Sequence, residues 1–221
     1  MRILLLNKFM SYILPTQQIV FIHIPKTAGA SVINSFAGEK VLIPNSRTKN
    51  QNYHSTLQDA LNFKDVDHYF KFTVVRNPWH RIVSWYTFRR RILELSLKRF
   101  AKNVPVKKVV NDQKIIADEY SSMQNFHKWL PDYIEKPWDF TWFSLKDNQI
   151  DWIDNIDSVD KIFRFETLGR DFTNHFNLTL PKKNVSTHKS FDWRSLYNTD
   201  TIKLVEKVYE KDIDVFKYTF K

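Results

Sequence analysis

Three stretches of the chain read as core strands. Ile19-Val20-Phe21-Ile22-His23-Ile24 is a β-branched and aromatic run that stops at Pro25. Phe70-Lys71-Phe72-Thr73-Val74-Val75-Arg76 and Val159-Asp160-Lys161-Ile162-Phe163-Arg164-Phe165 repeat the pattern further on. Their length and their punctuation predict strands. Between them the apolar spacing turns helical. Val32 to Phe36 begins one helix, Ser55 or Thr56 caps a short one, and Asn77-Pro78 opens a long one through about Leu97. The long helix is expected to aim Ile82, Val83, Tyr86 and Leu93 at a core. A further helix runs from Glu166 through about Phe176, and Thr201 to Tyr209 has the spacing of another. Val41-Leu42-Ile43-Pro44 reads as a short extended segment.

Strands separated by helices imply a parallel sheet with helices on both faces. Such sheets hold ligands beyond the carboxyl ends of their strands. Two residues with obvious chemistry, Lys26 and Arg76, fall there. From Lys98 to Trp138 the chain is basic, aromatic and without clear period. It is read as an irregular segment, and residues 90–145 as a candidate acceptor-binding insertion within one domain spanning 1–221.

Composition sharpens the picture at two points. The formal charge is +10, from 34 basic and 24 acidic residues, which favours anionic partners such as nucleotides, nucleic acid or acidic glycans. There is no cysteine, so disulfides, thiolate metal sites and a cysteine nucleophile are excluded. The N-terminal ten residues are apolar only in a short burst interrupted by Asn7 and Lys8. The expectation is a chain without a transmembrane segment or secretory signal, in the cytoplasm, with the sequons at Asn177 and Asn184 as chance matches.

Pro25-Lys26-Thr27-Ala28-Gly29-Ala30-Ser31 is the first candidate site. Strand, small-residue turn and helix start is the order that presents free backbone N–H groups to an anion. Lys26 adds a charge, and Thr27 and Ser31 add hydroxyls. The spacing of a Walker A loop is absent. Arg76 and Ser84 bracket the start of the next helix, where a guanidinium, a hydroxyl and helix amides would form a second phosphate pocket. Arg81, one turn before Ser84, adds charge or pairs with an acid. A ligand with phosphates at two positions accounts for both sites.

These two stretches resemble the donor-binding motifs of sulfotransferases that use 3′-phosphoadenosine-5′-phosphosulfate (PAPS). Pro25 to Ser31 is similar to the 5′-phosphosulfate loop. Arg76-Asn77-Pro78-Trp79-His80-Arg81-Ile82-Val83-Ser84-Trp85-Tyr86 is similar to the 3′-phosphate motif. The resemblance is strongest to the carbohydrate branch that includes heparan sulfate 2-O-sulfotransferase. Weaker agreements lie at Ile162 to Leu168, Asn184 to His188 and Tyr209 to Tyr218.

The resemblance implies a three-layer P-loop-like α/β fold with a central parallel sheet flanked by helices. It implies PAPS as sulfuryl donor and a hydroxyl-bearing acceptor, a glycan by the branch, with no metal and no nucleic acid as partner. It casts Lys26 as the group stabilising the leaving oxygen and His54 as general base, with His80 in reserve and His23 as buried structure. It has the loop 25–31 hold the 5′ end, Arg76 and Ser84 hold the 3′-phosphate, and Ser186 and Thr187 touch the nucleotide. Arg89-Arg90-Arg91 is either a solvated helix face or a lure for an anionic glycan. Two other readings stay open: a nucleotide-dependent kinase or phosphotransferase, and a non-catalytic polyanion-binding protein.

Overall fold

The three predicted strands form the parallel part of a single sheet. A computed structural model describes residues 11–44, 55–101, 113–135, 147–181 and 192–221. Its strands are β1 (Tyr12–Leu14), β2 (Ile19–Ile22), β3 (Val41–Leu42), β4 (Phe70–Val75) and β5 (Lys161–Arg164), in the spatial order β3-β1-β2-β4-β5. β2 pairs parallel with β4 and β4 parallel with β5, with Phe21 opposite Phe72 and Val75 opposite Arg164.

β1 adds an antiparallel edge between β2 and β3, so the sheet is mixed. The sequence did not announce β1, because three residues are too few to show a period. Its return to β2 turns on a short 3₁₀ segment, Pro15–Gln17, and on Gln18 in the left-handed region at φ 53°.

The helices are α1 (Gly29–Ile33), α2 (Leu57–Phe63), α3 (Pro78–Phe100), α4 (Gln113–Ser122), α5 (Phe126–Glu135), α6 (Leu168–Phe176), α7 (Thr199–Val208) and α8 (Glu210–Phe216). The chain is α/β, a sheet flanked by helices, as expected. Thr56 caps α2, accepting from Asp59 N while the Asp59 carboxylate accepts from Thr56 N.

The segment read as irregular carries α4 and α5. Each spans ten residues in a basic, aromatic stretch, and Pro131, which reads as a break in the sequence, lies inside the second helix.

The chain divides into two compact units. One comprises Met1–Asn77, Asp147–Val185 and Lys211–Thr219, and the other Pro78–Lys146, Ser186–Glu210 and Phe220–Lys221. The first holds the sheet. On one of its faces Phe21 stacks on Phe72 at 4.9 Å, and Phe163 meets Phe72 edge-on at 5.7 Å. α1 contributes Val32 and Ile33 to this cluster, and α6 contributes Leu168 and Phe172. Aromatic pairs of this kind add to the burial of their area.

The second unit is helical. α3 buries Ile82, Val83, Tyr86 and Leu93, as its spacing predicts. Tyr86 packs against Phe126 and Trp129 and donates its hydroxyl to the Met123 carbonyl at 2.5 Å. Arg89 is buried and forks onto Glu119 of α4, with contacts of 2.6 and 2.5 Å. That pair resolves the arginine cluster. Arg89 is internal, Arg90 lies over the Tyr86 ring and reaches Gln124, and only Arg91 is exposed.

Phe72 is wholly buried at the centre of the aromatic cluster. Phe72→Ala is expected to cost about 3–5 kcal/mol of stability, read as a lowered midpoint in urea denaturation.

Candidate active site

Three loops leave the carboxyl ends of the adjacent parallel strands β2, β4 and β5, and the candidate chemistry is on them. The first runs from His23 to Ala28. Thr27 is buried and donates its hydroxyl to the Ile24 carbonyl at 2.8 Å, closing a tight turn. Lys26 and Ala28 on either side have φ of 69° and 73°, in the left-handed region that non-glycine residues rarely occupy. Strain of this kind concentrates where a loop is shaped for a ligand.

The Thr27 hydroxyl proton is therefore committed to the loop, and what Thr27 can offer a ligand is its backbone N–H. α1 then starts at Gly29, with the N–H groups of Ser31 and Val32 both bonded to the Ala28 carbonyl. Gly29 and Ala30 precede the first N–H that an intrahelical carbonyl can accept. α1 is only five residues long, so individual N–H groups and Lys26 matter more here than a helix dipole. Pro25, Ser31 and Gly29 are buried, while Ala28 and Ala30 are partly exposed.

Gly29 is required by packing. A Cβ at this position would lie 2.0 Å from the His23 imidazole. His23 itself is buried one residue past β2, stacked on Phe21 at 5.7 Å, in keeping with a structural role. Its N–H donates to Ser11 Oγ, which donates to the Ser55 carbonyl at 2.7 Å. Ser55 in turn donates its hydroxyl to the Ile43 carbonyl. The residue that follows His54 in sequence is thus tied to the strand end. His54 itself, Ser186 and Thr187 lie outside the described residues, as does Asn184.

Arg76 is the first residue after β4. Its Nη1 donates to the Lys26 carbonyl at 3.1 Å, and its guanidinium lies 3.8 Å above the Phe165 ring at the end of β5. The two predicted motifs, fifty residues apart in the chain, are in direct contact. Burial, and after it the Arg76 charge, pulls the Lys26 ammonium down to about 7. A positive arginine against a partly desolvated lysine is an arrangement that an anion would relieve.

The residues around Arg76 were only partly foreseen. Glu166, read as the start of a helix, accepts from Asn77 N at 2.9 Å and from the Tyr218 hydroxyl at 3.1 Å. Burial and then the Glu166 carboxylate push the Tyr218 phenol above its usual range, so it donates as a neutral hydroxyl. Asn77, expected to cap α3, donates its side-chain amide to the Thr219 carbonyl. Gln149 carried no sequence signal, and Asp212 only its place in the weakly matching stretch Tyr209 to Tyr218, yet Gln149 bonds both backbone groups of Arg76 at 2.8 Å.

Ser84, Arg81 and His80 belong to the helical unit. Ser84 is half-buried two turns into α3, Arg81 is fully buried, and His80 stacks on Trp193 at 5.2 Å. Among the described residues no group of three or more acidic, histidine or cysteine side chains is placed to hold a metal ion. No helix among the described residues is long and apolar enough to cross a membrane.

A mixed sheet with a strained small-residue loop on one parallel strand end, and an arginine from the next strand end bonded to it, defines an α/β protein with a candidate anion site. Its affiliation is more specific. The model of the sulfotransferase family matches residues 10–219, nearly the whole chain, and the protein belongs to that family. The family transfers sulfuryl groups. Neither a search of the curated proteins nor one of the solved structures finds a match.

Lys26 supplies a pH signature. Its pKa in the folded state is below that of an unfolded lysine, so between about pH 7 and 10.5 the unfolded chain holds more protons. Its contribution to stability therefore rises with pH across that window. Denaturation curves are expected to show wild type gaining on Lys26→Met from pH 7 to about 9; a constant difference would contradict the lowered pKa.

Proposed function

We propose that the protein transfers the sulfuryl group of PAPS to a hydroxyl of an acceptor, in line, and that the acceptor is a carbohydrate. The observation that carries the reading is the contact between Arg76 Nη1 and the Lys26 carbonyl, which joins the two stretches that resemble the donor motifs.

The residues present suit such a donor. The 5′ end needs donors close to backbone, and the Pro25–Ser31 loop offers N–H groups beside small side chains, with Ser31 adding a hydroxyl. Lys26 meets the oxygen that bridges sulfur and phosphorus. By resemblance, Arg76 and Ser84 take the 3′-phosphate, the group that separates PAPS from ATP-like nucleotides. Ser186 and Thr187 complete the nucleotide contacts by resemblance.

In the transfer, the acceptor oxygen forms a bond to sulfur as the bond from sulfur to the bridging phosphate oxygen breaks. The acceptor proton passes to His54, and negative charge builds on the departing adenosine 3′,5′-bisphosphate, which Lys26 stabilises. Positioning and charge stabilisation supply most of the rate, as in phosphoryl transfer.

A carbohydrate acceptor, in the manner of the heparan sulfate 2-O branch, rests on the resemblance and on the +10 charge. The arginine cluster supports it less than its sequence suggests, because Arg89 is spent on Glu119.

Calorimetry separates this reading from the phosphotransferase and polyanion readings. Wild type is expected to bind adenosine 3′,5′-bisphosphate without metal and at least about tenfold more tightly than AMP or ATP. Arg76→Ala is expected to lose that preference. Equal binding of all three nucleotides, or a requirement for a divalent metal, would overturn it.

A further inference from the structure

Arg76 lies one residue beyond the sheet. The β4–β5 ladder ends with Val75 opposite Arg164, so no strand holds the next residue in place. Gln149 does. It is fully buried in a short 3₁₀ turn, Gln149–Trp152, and its carboxamide pairs with Arg76 as a neighbouring strand would. Oε1 accepts from Arg76 N and Nε2 donates to Arg76 O, each at 2.8 Å.

The orientation of that carboxamide is forced. The second Nε2 proton goes to Asp212 Oδ2 at 3.1 Å, and a flipped amide would face a carboxylate and a carbonyl with its oxygen. Asp212 is also fully buried; its Oδ1 accepts from Ile150 N at 3.0 Å, and its own N–H donates to Asn148 Oδ1. The turn that carries Gln149 is thus fixed at three points by one residue of α8. With its backbone held on one side and its guanidinium between Phe165 and the Lys26 carbonyl, Arg76 is set in one geometry before any ligand arrives. Preorganisation of this kind strengthens binding by removing the cost of ordering a long side chain.

We propose that Gln149, held by Asp212, is a positioning residue for Arg76 and through it sets the preference for a nucleotide that carries a 3′-phosphate. The inference rests on the donor reading given above. Gln149 does not touch the nucleotide in this account. Its whole effect passes through Arg76, and that makes it separable from a general contribution to folding.

The test uses Gln149→Met, which keeps the volume and loses the hydrogen bonds, and Asp212→Asn, which cannot satisfy both Gln149 Nε2 and Ile150 N. Calorimetry compares adenosine 3′,5′-bisphosphate with AMP on full-length variants that retain a cooperative thermal transition. Gln149→Met is expected to lose about tenfold in bisphosphate affinity, with AMP changed by no more than about twofold. Asp212→Asn is expected to show a smaller loss with the same selectivity, and it carries the test alone if Gln149→Met does not fold. In an Arg76→Ala background neither substitution should weaken bisphosphate binding further.

Equal losses for the two ligands, or a full additional loss on top of Arg76→Ala, would overturn the positioning role and leave the donor reading standing. A wild-type protein that does not distinguish bisphosphate from AMP would overturn the donor reading, and this inference with it.

Discussion

The hydrogen bond from Arg76 to the Lys26 carbonyl depends on two constraints, and most of the sheet unit serves one or the other. Lys26 must present its carbonyl, which requires the left-handed turn that Thr27 closes on Ile24 and that Gly29 permits by leaving room for His23. Arg76 must stand clear of the strand end in one orientation, which requires Gln149, Phe165 and the residues behind them. The aromatic cluster of Phe21, Phe72 and Phe163 fixes β2, β4 and β5 relative to one another, so the loops on their ends meet reproducibly. Packing in the sheet is therefore what gives the site its precision.

The electrostatics follow from the same geometry. Burial strips water from the Lys26 ammonium, and the Arg76 guanidinium in the same strand-end region adds repulsion. The pair stores unfavourable free energy in the ligand-free protein. A ligand with two separated negative groups would release it at both positions. Membership of the sulfotransferase family, over residues 10–219, gives that arrangement a chemical purpose.

Much of this was legible in the residues, for physical reasons. β2 and β4 are buried in the sheet and rich in β-branched and aromatic residues, β5 buries only Phe163 and has a charged residue at each end, and the punctuation at Pro25 and at Asn77-Pro78 marks where the chain leaves the first two. What escaped was of two kinds. β1 has only three residues, too few for a period, and α4 and α5 lie in a basic, aromatic stretch where Pro131, inside α5, reads as a break. Gln149 and Asp212 act through hydrogen bonds between distant parts of the chain, and such contacts leave no periodic trace. Thr27 shows the reverse case. Its place in the motif was plain, but only the structure shows that its hydroxyl closes the loop. The arginine run at 89–91 likewise looked uniform and divides into one internal ion pair, one ring contact and one exposed charge.

The central claim assigns one phosphate to each motif, and phosphorus NMR of bound adenosine 3′,5′-bisphosphate tests that assignment directly. Both resonances should shift on binding to wild type. Arg76→Ala should abolish the shift of the 3′-phosphate alone, and Lys26→Ala that of the 5′-phosphate alone. If both substitutions alter the same resonance, or neither alters any, the two motifs do not hold the two ends of one donor and the account is wrong.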